Sequence, residues 1–269
     1  NKLVFSKIQA ALGGRVRWCI SGAAPLNSDI SRFFHAAGIL VVEGIGMTEN
    51  TSFSNLNRFD NYRFGWVGQP GPGIEQKLGE DGEVMFRGRN VMKEYYKMPD
   101  ETAATITEDG WLLTGDIGEI DDDNFLRITG RKKDLIITAG GKNIAPAAIE
   151  GTIATSKYIN QVLVIGDRRK FLSALVTLDE ENIRAWADAE GITYSSVDEL
   201  TANDAVQNLI EVEVAAKNAQ FASFESIKKV TIVPEFTIDN GLITPTMKVK
   251  KNIVAAHYED EINQMYPVD

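Results

Sequence analysis

The sequence predicts an α/β fold that is α+β in parts, laid out in three stretches of different texture. Three observations predict it. "RVRWCI" and "ILVVEG" are short apolar runs either side of a helix-like segment, the alternation of an α/β layer. From about Phe64 to Gly130, strand-like runs follow one another across glycine and aspartate turns, which is antiparallel β. After Arg131, strands and helices mix again.

In chain order, Leu3, Val4, Ile8, Ala11 and Leu12 repeat at helical spacing, and Gly13-Gly14 stops that helix. "RVRWCI" is a strand that runs into the turn "SGAAPLN". A helix capped near Asn27 or Ser28 ends by Gly38. "ILVVEG" reads as a buried parallel strand. "EQKLGEDGEVMFRG" holds two strands around a glycine turn, and "WLLTGDIGEIDDDNFLRITGR" holds more, with a turn at 121–124. "DLIIT" is a strand, followed by the glycine turn "AGGKN" and a helix from Pro146. "QVLVIGD" and "FLSALVTL" form a hairpin, residues 179–190 and 204–219 are helices, and "IKKVTIV" is a strand. From about Val249 the spacing of Val254, Tyr258, Ile262 and Met265 predicts one amphipathic helix. The domain boundary falls near 130–133, in the charged "GRKKD".

The formal net charge of −10 disfavours nucleic acid and anionic surfaces, so any polyanion must be held by a local site. Cys19 is the only cysteine, which excludes an intramolecular disulfide and fits a reducing compartment. The apolar runs are too short to cross a bilayer, and no signal-peptide pattern opens the chain. Asn1 begins inside a helix-like segment, so a fragment of something longer is expected.

His35 and His257 are the only histidines, both in predicted helices, which argues against a zinc site or a Ser-His-Asp triad. "DDDNF" lacks the ligand alternation of a calcium loop and reads as a hairpin turn. "EGIGMTEN" is more informative. Gly44 and Gly46 would allow close backbone approach to a ligand, Thr48 could bond a phosphate oxygen, and Glu49 could hold magnesium. In "TGDIG", the two oxygens of Asp116 suit a ribose diol or an Asx-turn. Arg131 is a second donor, and "AGGKN" is either a nest of amides or a tight turn. "TPTMKVKK" sets three lysines in four positions; Lys250 and Lys251 read as the solvated first turn of the last helix.

In that order, "SGAAPL", "EGIGMTE", "VGQPGPG", "GEVMFRGRNVMKEYY", "DGWLLTGDIG", "ITGRKKDLIITAGGKNIAP" and "ITPTMKVKK" resemble the adenylate-forming superfamily of acyl-CoA synthetases, luciferases and peptide-synthetase adenylation domains. "TAGGKNIAP" and "TPTMKVKK" look most like its long-chain fatty acyl-CoA synthetases. The resemblance implies that residues 1–130 are the C-terminal portion of a large AMP-binding domain, α/β to about 63 and a β-barrel-like, mostly antiparallel part over 64–130. Residues 131–269 would be a small mobile α+β domain with its hinge at Lys133. It implies ATP, fatty acid and coenzyme A as substrates, Mg²⁺ as cofactor, and an acyl-adenylate between two half-reactions.

By that resemblance Thr48, Glu49 and Lys248 are catalytic, with Glu49 on the metal. Ala23, Ala24, Gly44, Ile45, Thr48, Asp116, Ile128, Arg131 and Lys248 bind nucleotide, and Gly140 and Gly141 line the coenzyme A path. Three departures stand out. Ile45 replaces the adenine-stacking aromatic, and Met247 replaces the glycine of many relatives. The Ser/Thr/Gly-rich phosphate loop is absent, so the fragment alone is expected to be inactive. An aryl- or short-chain acyl-CoA ligase, a carrier-loading adenylation domain, and a non-catalytic nucleotide-binding or interaction module are the competing readings. A cytoplasmic location is implied, with peripheral contact at the inner face of a membrane and oligomeric state left open.

Overall fold

The computed structural model describes residues 2–266. The chain forms two compact units that divide between Lys133 and Asp134.

In the first unit, α1 (Lys2–Ala11) ends where Gly13 and Gly14 take positive φ. β1 (Trp18–Ser21) pairs in parallel with β2 (Leu40–Ile45), with Cys19 opposite Val41. α2 (Ser28–Ala36) connects them. The Asn27 side chain caps it by accepting from the Asp29 amide at 2.8 Å, and Gly38 at φ +83° releases the chain into β2. β2 then pairs antiparallel with β3 (Asn55–Leu56), and β3 with β4 (Gln69–Pro70).

A second sheet is an antiparallel meander of β5 (Ile74–Leu78), β6 (Glu83–Gly88), β7 (Leu112–Ile120) and β8 (Leu126–Arg131). A short helix α3 (Pro99–Thr105), which the sequence pattern does not announce, interrupts it between β6 and β7. The 121–124 turn is built as a hairpin. Asp121 Oδ1 accepts from the amides of Asp123 and Phe125, and Asn124 sits at φ +64°. Backbone bonds from Val67 to Leu126 (2.8 Å) and from Leu126 to Gly68 (3.0 Å) join the two sheets. Between them lies a core of Ile45, Val84, Phe86 and Leu126.

In the second unit, β9 (Ile136–Ile137) and β10 (Asn143–Ile144) make a two-rung hairpin before α4 (Pro146–Ile153). β11 (Ile159–Ile165) pairs antiparallel with β12 (Leu172–Leu178), which pairs in parallel with β13 (Ile227–Ile232). Helices α5 (Glu180–Ala189), α6 (Val197–Thr201) and α7 (Asp204–Asn218) lie between β12 and β13 in sequence. Every residue of β12 is buried. Leu172, Ala174, Val176 and Leu178 pack with Ile149, Ile153, Ile183, Val206 and Ile210, while Leu175 packs with Leu163, Phe236, Val254, Tyr258 and Ile262. The two-residue period of a strand sends alternate side chains into separate cores on its two faces.

The chain ends in two helices rather than the single one expected: α8 (Lys251–His257) and α9 (Glu259–Gln264), broken at Tyr258. Val254, Tyr258, Ile262 and Met265 are all buried on one core, so the apolar spacing survives the break and conceals it. Among the described residues, no helix is long and apolar enough to cross a membrane.

Candidate nucleotide site and the lysine turn

β2 delivers the chain into "EGIGMTEN". A Cβ on Gly46 would lie 1.6 Å from the Ser52 carbonyl oxygen, and one on Gly44 would lie 2.9 Å from that of Asn55. Their need for glycine therefore comes from the neighbouring backbone, before any ligand is considered. A 3-10 turn at Thr48–Asn50 follows, then Thr51 and Ser52 at φ +55° and +87°.

Groups from the loop after β6 lock this turn. Asn90 Nδ2 donates to the carbonyls of Asn50 (3.2 Å) and Phe53 (3.0 Å), and the Met92 amide donates to the Glu49 carbonyl at 2.7 Å. Tyr95 Oη donates to Glu49 Oε1 at 2.7 Å. Accepting carboxylate beside it, and then burial, raise the tyrosine pKa above its ordinary value. Thr48 is exposed.

Asp116 and Arg131 face each other in register across β7 and β8, and Arg131 Nε donates to Asp116 Oδ1 at 2.9 Å. The aspartate side chain is 7% exposed and the arginine side chain 51%. A buried carboxylate needs such a partner, and the arginine side chain that supplies it stays half exposed. Ala23 and Ala24 are both exposed, with Ala23 at φ +68°. Glu43 anchors their loop: it is buried and accepts from the backbone amides of Gly65 and Leu26. Ile45 and Ile128 turn into the core between the sheets, so in this unit the isoleucine that replaces a stacking aromatic has an apolar packing role. His35 stands apart, 2.9 Å from Tyr62 Oη.

In the second unit, Thr244–Val249 is a tight turn closed by an Ile243–Val249 bridge. The Thr244 amide donates to the Lys248 carbonyl at 2.8 Å, and the Lys248 amide donates to Thr244 Oγ1 at 3.0 Å. This fixes the Lys248 backbone, while its side chain is exposed and makes no polar contact with the described residues. The other two lysines correct the expectation of a solvated turn. Lys250 Nζ donates to the Gly241 carbonyl at 2.9 Å, and Lys251 Nζ donates to both Glu150 oxygens at 3.0 Å. Gly140 and Gly141 form the tip of the β9–β10 hairpin, with Gly141 at φ +73°. The amides of Ala139, Gly141 and Lys142 are taken by Arg169, the Thr138 carbonyl and Thr138 Oγ1, so this is a tight turn and not an amide nest. Lys133 is the last residue of the first unit.

Tyr95, Glu43, Asn90 and Glu83 escape a reading of the sequence. Tyr95, Asn90 and Glu83 lie inside "GEVMFRGRNVMKEYY" and Glu43 opens "EGIGMTEN", but nothing local says which residue each will meet.

The sequence profile described as "AMP-binding enzyme C-terminal domain" matches residues 133–268, and that described as "AMP-binding enzyme" matches residues 2–96. A long-chain-fatty-acid–CoA ligase of Mycobacterium bovis is 40% identical over 270 residues, which is 99% of this chain and 44% of that protein. The peroxisomal long chain acyl-CoA synthetase 7 of Arabidopsis thaliana is 39% identical over 286 residues, 99% of this chain and 41% of that protein. The chain thus spans less than half the length of these relatives. Among solved structures, the adenylation domain of a Mycobacterium chelonae carboxylate reductase superposes with a TM-score of 0.78 at 23% identity, over 98% of this chain and 41% of that one. ATP-bound MatB from Rhodopseudomonas palustris gives 0.67 at 30% identity, over 92% and 46%. With the profile matches and the long-chain ligase likeness running over nearly all of its length, the chain belongs to the AMP-binding enzyme family.

Proposed function

We propose that this chain is the C-terminal portion of a long-chain fatty acid–CoA ligase, forming acyl-CoA, AMP and pyrophosphate from fatty acid, ATP and coenzyme A. The observation that carries this reading is the 40% identity, over 99% of the chain, to a relative named for that activity. In the first half-reaction the fatty acid carboxylate attacks the α-phosphate and pyrophosphate leaves. In the second the thiol of coenzyme A attacks the acyl carbonyl and AMP leaves. The chain's part is positioning and charge neutralisation.

Asp116, braced by Arg131, is the group we assign to the ribose hydroxyls, and Thr48, exposed on its locked turn, to the α-phosphate. Lys248 is the cation we assign to the charge shared by carboxylate and phosphate, because its backbone is fixed and its ammonium is uncommitted. Glu49 is the group we assign to magnesium: Tyr95 Oη holds one of its oxygens, and a single carboxylate suits an ion held mostly by phosphate oxygens and water. Bound there, the ion would neutralise phosphate charge. Gly140 and Gly141 are assigned to the coenzyme A path. We assign residues 1–130 to the large domain and 131–269 to a small domain pivoting near Lys133, a reading supported by the division after Lys133 and the profile match that begins there. A cytoplasmic location accompanies this reading.

The test is acyl-length profiling of the full-length protein, with the expectation that long-chain acids give the highest kcat/KM. A preference for aryl or short-chain acids would overturn the substrate assignment. The isolated 269-residue chain is expected to show no ATP–pyrophosphate exchange.

A further inference from the structure

We propose that Glu83 is a positioning residue that ties the turn carrying Asp116 to the segment entering the pivot at Lys133. This rests on the reading of Asp116 as the ribose carboxylate and of Lys133 as the hinge. Glu83 is 7% exposed, and its two oxygens point to two different places. Oε1 accepts from the Gly115 amide at 2.7 Å, next to Asp116. Oε2 accepts from Lys132 Nζ at 3.0 Å, next to Lys133.

The surroundings make the link rigid. Lys132 also pairs with Asp81 Oδ2 at 2.6 Å, and Asp81 Oδ1 accepts from the Glu83 amide at 3.1 Å, so the three residues close a ring. The β6–β7 pairing shifts register between Glu83 and Met85, and the β7–β8 pairing between Ile117 and Gly118. Such irregularities re-aim a side chain out of the ladder. Thr114 Oγ1 donates to the Val84 carbonyl at 2.6 Å and accepts from the Asp116 amide at 3.1 Å, so β6 holds the turn on both sides of Gly115.

A buried carboxylate is costly to leave half-paired, so its two contacts stand or fall together. If Lys132 is drawn away by movement at the pivot, Glu83 keeps an uncompensated charge beneath the Gly115–Asp116 turn. If a ribose holds that turn, Glu83 is held in turn against Lys132. Occupancy at Asp116 and freedom of the pivot segment are therefore linked, and by thermodynamic necessity the link acts both ways.

The experiment is limited trypsin cleavage at Arg131, Lys132 and Lys133 of the full-length protein, with and without saturating AMP, alongside AMP binding by calorimetry. AMP is expected to slow cleavage of the wild type. Glu83→Gln can still accept from Gly115 but presents an amide to Lys132, and its protection by AMP is expected to fall about fivefold or more. Lys132→Arg keeps the ion pair and is expected to retain protection. Lys132→Met, which leaves Arg131 and Lys133 cleavable, repeats the comparison from the surface side, so a folding failure of the buried variant does not decide the matter. Full protection in both Glu83→Gln and Lys132→Met overturns the link. A wild type that binds AMP without protection overturns it as well, whereas a wild type that does not bind AMP overturns the reading of Asp116 beneath it.

Discussion

Tyr95 Oη donates to Glu49 Oε1 at 2.7 Å, across 46 positions of sequence. The bond fixes one carboxylate oxygen and so orients the other. A hydrogen bond to a charged group contributes about 1.5–3 kcal/mol. Tyr95→Phe keeps the ring and removes only the donor. In the full-length protein it is expected to raise the Mg²⁺ concentration for half-maximal adenylation by about tenfold or more, the lower end of that energy range. Thioester formation from pre-made acyl-adenylate should be little changed. A Mg²⁺ titration identical to wild type, beside a Glu49→Gln variant that does shift it, would show that the tyrosine has no part in orienting the carboxylate.

Ala23 and Met247 are non-glycine residues held at positive φ, +68° and +62°, one at a proposed nucleotide contact and one beside Lys248. An L-residue in that region costs about 1–2 kcal/mol, partly offset because glycine has more freedom to lose on folding. Both side chains are exposed, so little packing is lost on substitution. Ala23→Gly and Met247→Gly are each expected to stabilise the protein by about 0.5 kcal/mol, read as a raised urea midpoint at unchanged slope. Gly141→Ala is the control in reverse. Its Cβ would meet nothing, yet φ is +73°, so it is expected to destabilise by about 1 kcal/mol from backbone conformation alone. A destabilised Ala23→Gly would mean that the strain reading is wrong there.

What the sequence showed and what it hid divide along the range of the interaction. The helix from Ser28 was legible because Asn27 caps it two residues away and Gly38 ends it locally. The β5–β6 and β7–β8 hairpins were legible from their turns. The break at Tyr258 was not, because burial on one core keeps the helical spacing through both pieces. Lys251 read as solvated because Glu150, its partner, lies 101 positions away. Ile45 read as a ligand contact, and only its packing with Val84, Phe86 and Leu126 shows a core role. The candidate residues were therefore found by type and order, while the groups that hold them in place needed the fold.

Glu43 gives a pH signature. Burial raises its pKa above the ordinary 4.5, and the amides of Gly65 and Leu26 lower it in part. The folded state then holds the proton more tightly than the unfolded state. Below 4.5 both states are protonated and the contribution to stability is complete; as pH rises from there through the raised folded value it is lost. Glu43→Gln removes the titration while keeping an acceptor for one amide. The stability of wild type relative to Glu43→Gln is expected to fall as pH rises above 4.5, measured by urea unfolding at a series of pH values. A difference that grows with pH would mean that the amide bonds outweigh burial.

The three lysines of "TPTMKVKK" are predicted to fail in three different ways. Lys248 has a fixed backbone and an uncommitted ammonium. Lys248→Ala in the full-length protein should abolish most adenylation, sparing thioester formation from pre-made acyl-adenylate, and should leave the unfolding midpoint nearly unchanged. Lys251 is 35% exposed against a Glu150 that is 17% exposed, and Glu150 Oε1 also accepts from the Val164 amide at 3.1 Å. The pair therefore pins α8 to α4 and β11. Lys251→Ala leaves a half-buried carboxylate without its cation, and a loss of about 1–3 kcal/mol is expected, with both half-reactions lowered together. Among the described residues the Lys250 ammonium bonds only the Gly241 carbonyl, so Lys250→Ala should cost about 1 kcal/mol and little activity. The discriminating measurement is the pair of half-reaction rates set beside the urea midpoint for each variant. Equal loss of both half-reactions in Lys248→Ala would remove it from the adenylation chemistry, and an unchanged midpoint in Lys251→Ala would reduce its ion pair to a surface contact.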